Sequence, residues 1–220
     1  MTKENYSFTY IVLTLLFVVC LIVSNLLEIK TVQIGSLTIT AGVIVFPISY
    51  IINDCIVEVY GLRKAKLTIW AGFSASLLIS LLLQIGILLP GSSSWEGQEA
   101  MSFIFGAVPR MFAASLLAFI CGSMLNAYVM EKMKLASKDG RHFSVRAIVS
   151  TVFGEGADSL IFFPIAFIGI LPFSDIIMLI ITQTVLKTIY EIIILPVTIR
   201  VVRWLKEIEY RRLISASSHD

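Results

Sequence analysis

Long apolar runs separated by short polar connections dominate the chain. The runs 8–27 and 67–89 contain no charged residue, and each is long enough to cross a hydrocarbon core of about 30 Å as a helix. The same pattern predicts further helical spans over 38–60, 110–130, 145–171 and 175–204, six in all. Connections are brief. Gly61 and the basic residues after it make a tight turn, Pro90-Gly-Ser-Ser-Ser94 is a strong loop signal, and residues 95–109, with Trp95, Phe103 and Phe105, suit an interfacial segment. The run 8–27 is expected to stay as a span, because Lys3 is offset by Glu4 and no small-x-small site closes it. The tail from Leu205 is polar and predicted helical only at its start. Pro196 is expected to interrupt the last span, and Pro164 to kink the fifth.

Composition agrees. Apolar residues make up 57% of 220 and charged residues 15%, where soluble domains carry about a quarter charged. The mean hydropathy is +0.91. The fold class is all-α: a polytopic six-helix membrane bundle, one domain over 1–220, with the lipid bilayer as its surroundings. The net charge of +2 gives no reason to expect nucleic acid, since basic residues sort by membrane side. All but three of the 17 (Lys30, Arg110 and Lys187) fall at the ends that six spans put on one side, so both termini are expected in the cytoplasm. Cys20, Cys55 and Cys121 lack disulfide or metal-ligand spacing, and nothing suggests a metal or a cofactor.

Polar residues inside the spans are the functional signal. Tyr50, Asp54 and Glu58 are spaced four apart and share one face of a helix. Glu155 and Asp158 follow Gly154 in the fifth span, and Gln183, Lys187, Tyr190 and Glu191 lie in the sixth. Charge at membrane depth is costly and normally faces a bundle interior or a watery cavity, so three such helices are expected to converge on one polar pocket. Each residue also has a plainer reading. Glu58 suits a membrane interface, Gly154 and Gly156 close helix packing, Lys187 and Glu191 a structural ion pair, Ser24 and Asn25 interhelical hydrogen bonding, and Arg110 snorkelling to the outer interface. Buried carboxylates suit a ligand edge with two parallel N–H groups, or a cationic amine. Residue chemistry alone stops at a small polar or cationic solute, or protons.

Motifs narrow this. Ser24-Asn25, Ala41-Gly42 with Phe46-Pro-Ile-Ser-Tyr50, Asp54-x-x-x-Glu58-Val-Tyr-Gly61, Pro109-Arg110 with Ala114-Ser115, Ser150-Thr151 with Asp158-Ser159, and Lys187-x-x-Tyr190-Glu191 with Pro196 resemble the queuosine precursor transporter family, also called the VUT type. The resemblance runs over nearly the whole chain. It implies an inner-membrane importer of 7-cyano- and 7-aminomethyl-7-deazaguanine, or the base queuine, with no enzymatic step and a helix arrangement similar to substrate-binding subunits of energy-coupling-factor importers. Carried over by position, the substrate-binding candidates are Asn25, Tyr50, Asp54, Glu58, Glu155, Asp158, Gln183, Lys187, Tyr190 and Glu191. Glu155 is a departure, since some members have Gln there, and it makes the site more acidic. Lys187 or Gln183 is expected to donate to the 6-oxo group of the base. A homodimer is compatible with the sequence. The alternative is a binding subunit of an ATP-driven importer, for which the chain carries no P-loop of its own. Paired-aspartate intramembrane proteolysis fits less well, because the motif contexts around Asp54 and Asp158 are incomplete.

Overall fold

The first apolar run becomes helix α1, Phe8–Leu27, started by Ser7, whose hydroxyl accepts a hydrogen bond from the Tyr10 amide at 3.0 Å. The computed structural model describes residues 6–35, 37–136 and 143–217. After α1 comes an antiparallel hairpin of β1 (Thr31–Ile34) and β2 (Leu37–Thr40), with Thr31 opposite Thr40. A single 3-10 turn, Ala41–Ile44, leads into α2 (Phe46–Tyr60). Gly61 alone, at φ +83°, reverses the chain into α3 (Leu62–Leu88); only glycine adopts that backbone without strain. Then follow α4 (Gln98–Phe105), α5 (Val108–Ala136), α6 (Phe143–Phe167) and α7 (Phe173–Ser217). The architecture is all-α apart from the small hairpin.

Five stretches among the described residues are long and apolar enough to cross a membrane: Phe8–Leu27, Leu62–Leu88, Gln98–Asn126, Ile148–Phe167 and Phe173–Arg212. The predicted span 38–60 differs. Its first third forms β2 and the 3-10 turn, so α2 has only 15 residues and rises about 22 Å, short of a hydrocarbon core of about 30 Å. Alternating Thr and Ile at Leu37-Thr-Ile-Thr40 pair with β1, and Pro47 starts the helix late. The last span also differs. Pro196 does not end it, and α7 continues for 45 residues through the polar tail to Ser217. Proline removes one rung of the ladder, which a long helix packed against its neighbours tolerates.

Two apolar clusters hold the bundle. Tyr10, Phe17 and Leu21 of α1 pack with Ile52 and Ile56 of α2 and with Ala65 and Phe73 of α3. Met111, Ala114 and Ala118 of α5 pack with Phe162, Phe163, Ala166 and Phe167 of α6 and with Ile176 and Leu179 of α7. Their spacing puts each set on one helix face. Leu78, Leu81, Leu82 and Ile85 of α3 are exposed, as lipid-facing residues are.

Arg110, expected to snorkel to the outer interface, is tied to the end of α6. Its guanidinium donates to the Ile165 carbonyl at 2.6 Å and to that of Ile168, closing the last turn of α6 with a cation, where the helix dipole favours one.

Helices α5 and α6 touch through glycine. A Cβ on Gly154 would lie 2.8 Å from Asn126 Cβ and 3.1 Å from the Gly122 carbonyl oxygen, whereas one on Gly156 would meet nothing within 4 Å. Gly154→Val is therefore expected to separate the helices and cost about 1–3 kcal/mol, the range for overpacking. Gly156→Ala is expected to leave the thermal midpoint in detergent unchanged or raised. Equal midpoints for the two variants would contradict this packing.

Candidate functional site

Lys187 is the hub. It lies on α7 with 8% of its surface exposed, and its ammonium is 2.8 Å from Asp158 Oδ2 and 3.5 Å from Glu155 Oε2. The same nitrogen stands 4.0 Å from the Phe46 ring centroid, within cation–π range. Asp158 and Glu155 are three apart on α6, so one face offers both carboxylates. Lys187 thus joins α6, α7 and the first turn of α2. The local pairing of Lys187 with Glu191 does not form; Glu191 instead accepts a hydrogen bond from Thr151 at 3.1 Å.

Three confluent clefts surround this hub. One, about 400 Å³ of empty space, is lined by Phe46, Asp54, Glu155, Lys187, Tyr190 and Glu191, with apolar residues of α7. A second, about 550 Å³, shares Asp54, Glu155 and Glu191 with it and adds Asn53, Phe119, Ser123, Asn126 and Thr151. A third, about 370 Å³, is aromatic: Phe17, Phe46, Phe73 and Phe119, with Ser49, Asn53, Ser115 and Asp158. Three carboxylates line each of the first two clefts, and four aromatic rings line the third.

Of the residues singled out in the sequence, Asp54, Glu155, Asp158, Lys187, Tyr190 and Glu191 meet at these clefts. Asp54 is exposed within its cleft, while Glu155 and Asp158 are buried. Glu58 lies elsewhere: it is exposed and pairs with Lys206 of α7, because α2 ends two residues later. Gln183 is fully buried and its amide donates to Thr40 Oγ1 at 2.7 Å, which makes it a strut to the hairpin. Asn25 borders a separate hollow of about 240 Å³ with Ser76, and its Nδ2 has no hydrogen-bond partner. The side chain of Tyr50 lies outside the described residues.

Sequence reasoning missed two groups. Asn53 joins two of the clefts, and its buried Oδ1 has no hydrogen-bond partner; one residue from Asp54, it lies about 100° around the helix, off the stripe that spacing of four marks out. Glu28 reads as an interface residue just past α1, yet it is 5% exposed. It packs so closely on Gly42 that a Cβ there would overlap its carboxylate, and it interacts with Thr40, Lys187 and Asp158. Burial is the main reason its carboxyl is pushed up to about 7, with Asp158 adding to the shift while Thr40 and Lys187 oppose it.

At the end of the bundle near both termini, Tyr60 donates to Glu209 Oε1 at 2.9 Å and accepts from Ser7 at 3.3 Å. The Lys64 ammonium sits 5.4–5.5 Å from the ring centroids of Tyr6, Tyr10 and Tyr60. At the opposite end, Thr182 donates to the Thr38 carbonyl at 3.0 Å, beside the bond from Gln183 to Thr40.

Residues 40–201 match the family described as "Putative vitamin uptake transporter". The chain belongs to this family. It is a family of transporters rather than enzymes, so the site has to recognise and release a ligand, not make bonds. Among curated relatives, a "Probable queuosine precursor transporter" of Bacillus subtilis is 32% identical over 173 residues, 79% of this chain and 76% of the relative. The "Queuosine precursor transporter" of Escherichia coli is 30% identical over 144 residues, covering 66% of this chain and 62% of its own length. No solved structure matches the chain.

Proposed function

We propose that this family member imports 7-deazaguanine precursors of queuosine across the cytoplasmic membrane, with both termini inside and with α2 plus its preceding 3-10 turn as the sixth crossing. The observation that carries the reading is the joining of an acid-lined cleft to an aromatic one around Lys187, in a chain whose relatives bear the queuosine precursor name. The base stacks on Phe46 or Phe119, and the Asp54 carboxylate accepts the N1–H and 2-amino hydrogens in parallel. Asn53 supplies the amide that meets the 6-oxo group. Lys187 and Gln183 are already engaged, by Asp158 and Thr40 respectively, and are not needed for that contact. Glu155 and Glu191 leave the hollow rich in negative charge, which favours the cationic 7-aminomethyl compound over the neutral 7-cyano one.

Thermal stabilisation of the purified protein by 7-aminomethyl-7-deazaguanine, 7-cyano-7-deazaguanine, queuine and guanine tests the order. The aminomethyl compound is expected to raise the midpoint most and guanine least. Labelled precursor should enter cells that lack their own transporter only when this chain is expressed. Uptake no better than with empty vector, together with no stabilisation by any of the four, removes the proposal.

A further inference from the structure

Glu28 belongs to the buried charge network but lines none of the three clefts. Its Oε2 has no hydrogen-bond partner, and the other side of the carboxylate is pressed on Gly42. The Gly42 carbonyl in turn accepts from Ser24 at 3.5 Å, which ties α1 to the 3-10 turn beside the carboxylate. From the hairpin it faces Thr40, from α7 Lys187, and from α6 Asp158; the 3-10 turn adds no charged group.

An ionised carboxylate with a bare oxygen away from water is costly. Charged, Glu28 competes with Asp158 and Glu155 for one ammonium; neutral, it leaves Lys187 to α6. The occupancy of this carboxyl by a proton therefore biases which side of the hub Lys187 holds.

We propose that Glu28 is the proton-binding site that couples ligand import to the proton gradient, one proton being taken up at the hairpin side and released at the side of the termini in each cycle. This rests on the importer reading above. The position of its carboxyl near 7 fits: protonated below that pH and ionised above it, the group changes state across the pH range a membrane gradient spans.

The test uses the full chain in proteoliposomes with labelled 7-aminomethyl-7-deazaguanine. Counterflow without a pH gradient measures transport itself, and net uptake with the outside made more acidic measures coupling. Wild type is expected to show counterflow and a severalfold acceleration by the gradient. Glu28→Gln should keep counterflow within twofold of wild type and lose the acceleration. Thr40→Val, which removes a hydroxyl that favours the ionised form, should keep the acceleration and move its pH midpoint upward. Acceleration of Glu28→Gln equal to wild type overturns the proposal. So does intact wild-type counterflow that ignores the gradient, an outcome that leaves the importer reading standing. Absence of wild-type counterflow removes both. If Glu28→Gln fails to fold, an unmoved midpoint in Thr40→Val overturns the coupling role.

Discussion

Lys187→Met is expected to abolish precursor uptake and to destabilise the protein by about 3–5 kcal/mol, the range for removing one partner of a buried ion pair. The size of the effect follows from burial. Asp158 and Glu155 have side chains 7% exposed, and without the ammonium two carboxylates sit close together with little water to screen them. The pair itself need not add net stability, because desolvating three charges offsets much of their attraction. Lys187→Met combined with Glu155→Gln and Asp158→Asn is therefore expected to recover most of the lost thermal midpoint and none of the uptake. A triple variant as unstable as the single one would show that Lys187 matters for packing rather than for charge.

Asp54→Asn should do the reverse. Asp54 is exposed within its cleft, so little stability depends on its charge, and the midpoint is expected to stay close to wild type. Affinity for 7-deazaguanines should fall at least tenfold, since a hydrogen bond to a charged group contributes about 1.5–3 kcal/mol and about 1.4 kcal/mol is tenfold in affinity. Glu58→Gln is the internal comparison. It removes an exposed pair with Lys206, side chains 51% and 59% exposed, of a kind that contributes at most about 1 kcal/mol, and binding should not change. Titration calorimetry on the three proteins decides the matter; equal loss of affinity in both variants would detach ligand recognition from the cleft.

The long helices were legible because uninterrupted apolar runs have few other structural outcomes. The hairpin was not. Leu37-Thr-Ile-Thr-Ala-Gly42 joins smoothly to the following apolar residues, and only its pairing with Thr31–Ile34 reveals a strand. Convergence of Asp54, Asp158 and Lys187 was readable from the cost of charge at membrane depth. Their partners were not, because spacing of four offers Lys187 a local acid in Glu191, while packing brings it two from α6. Glu58 has the same periodicity as Asp54, and nothing in that pattern says that α2 stops at Tyr60. Glu28 was hidden most completely, since its burial depends on a glycine 14 positions later that folds back over it.

Helix α7 is fastened at both extremities. Thr182 and Gln183 tie it to β2, and Lys206 and Glu209 tie it to α2. Helix α6 is married to α5 through Gly122 and Gly154. The contact of Lys187 with Asp158 and Glu155 adds a buried ionic tie to the apolar packing of α7 on α5 and α6. Any shift of α7 along α6 must stretch those ionic contacts as well as the apolar ones, so whatever briefly satisfies the freed charges also sets how easily the two helices part.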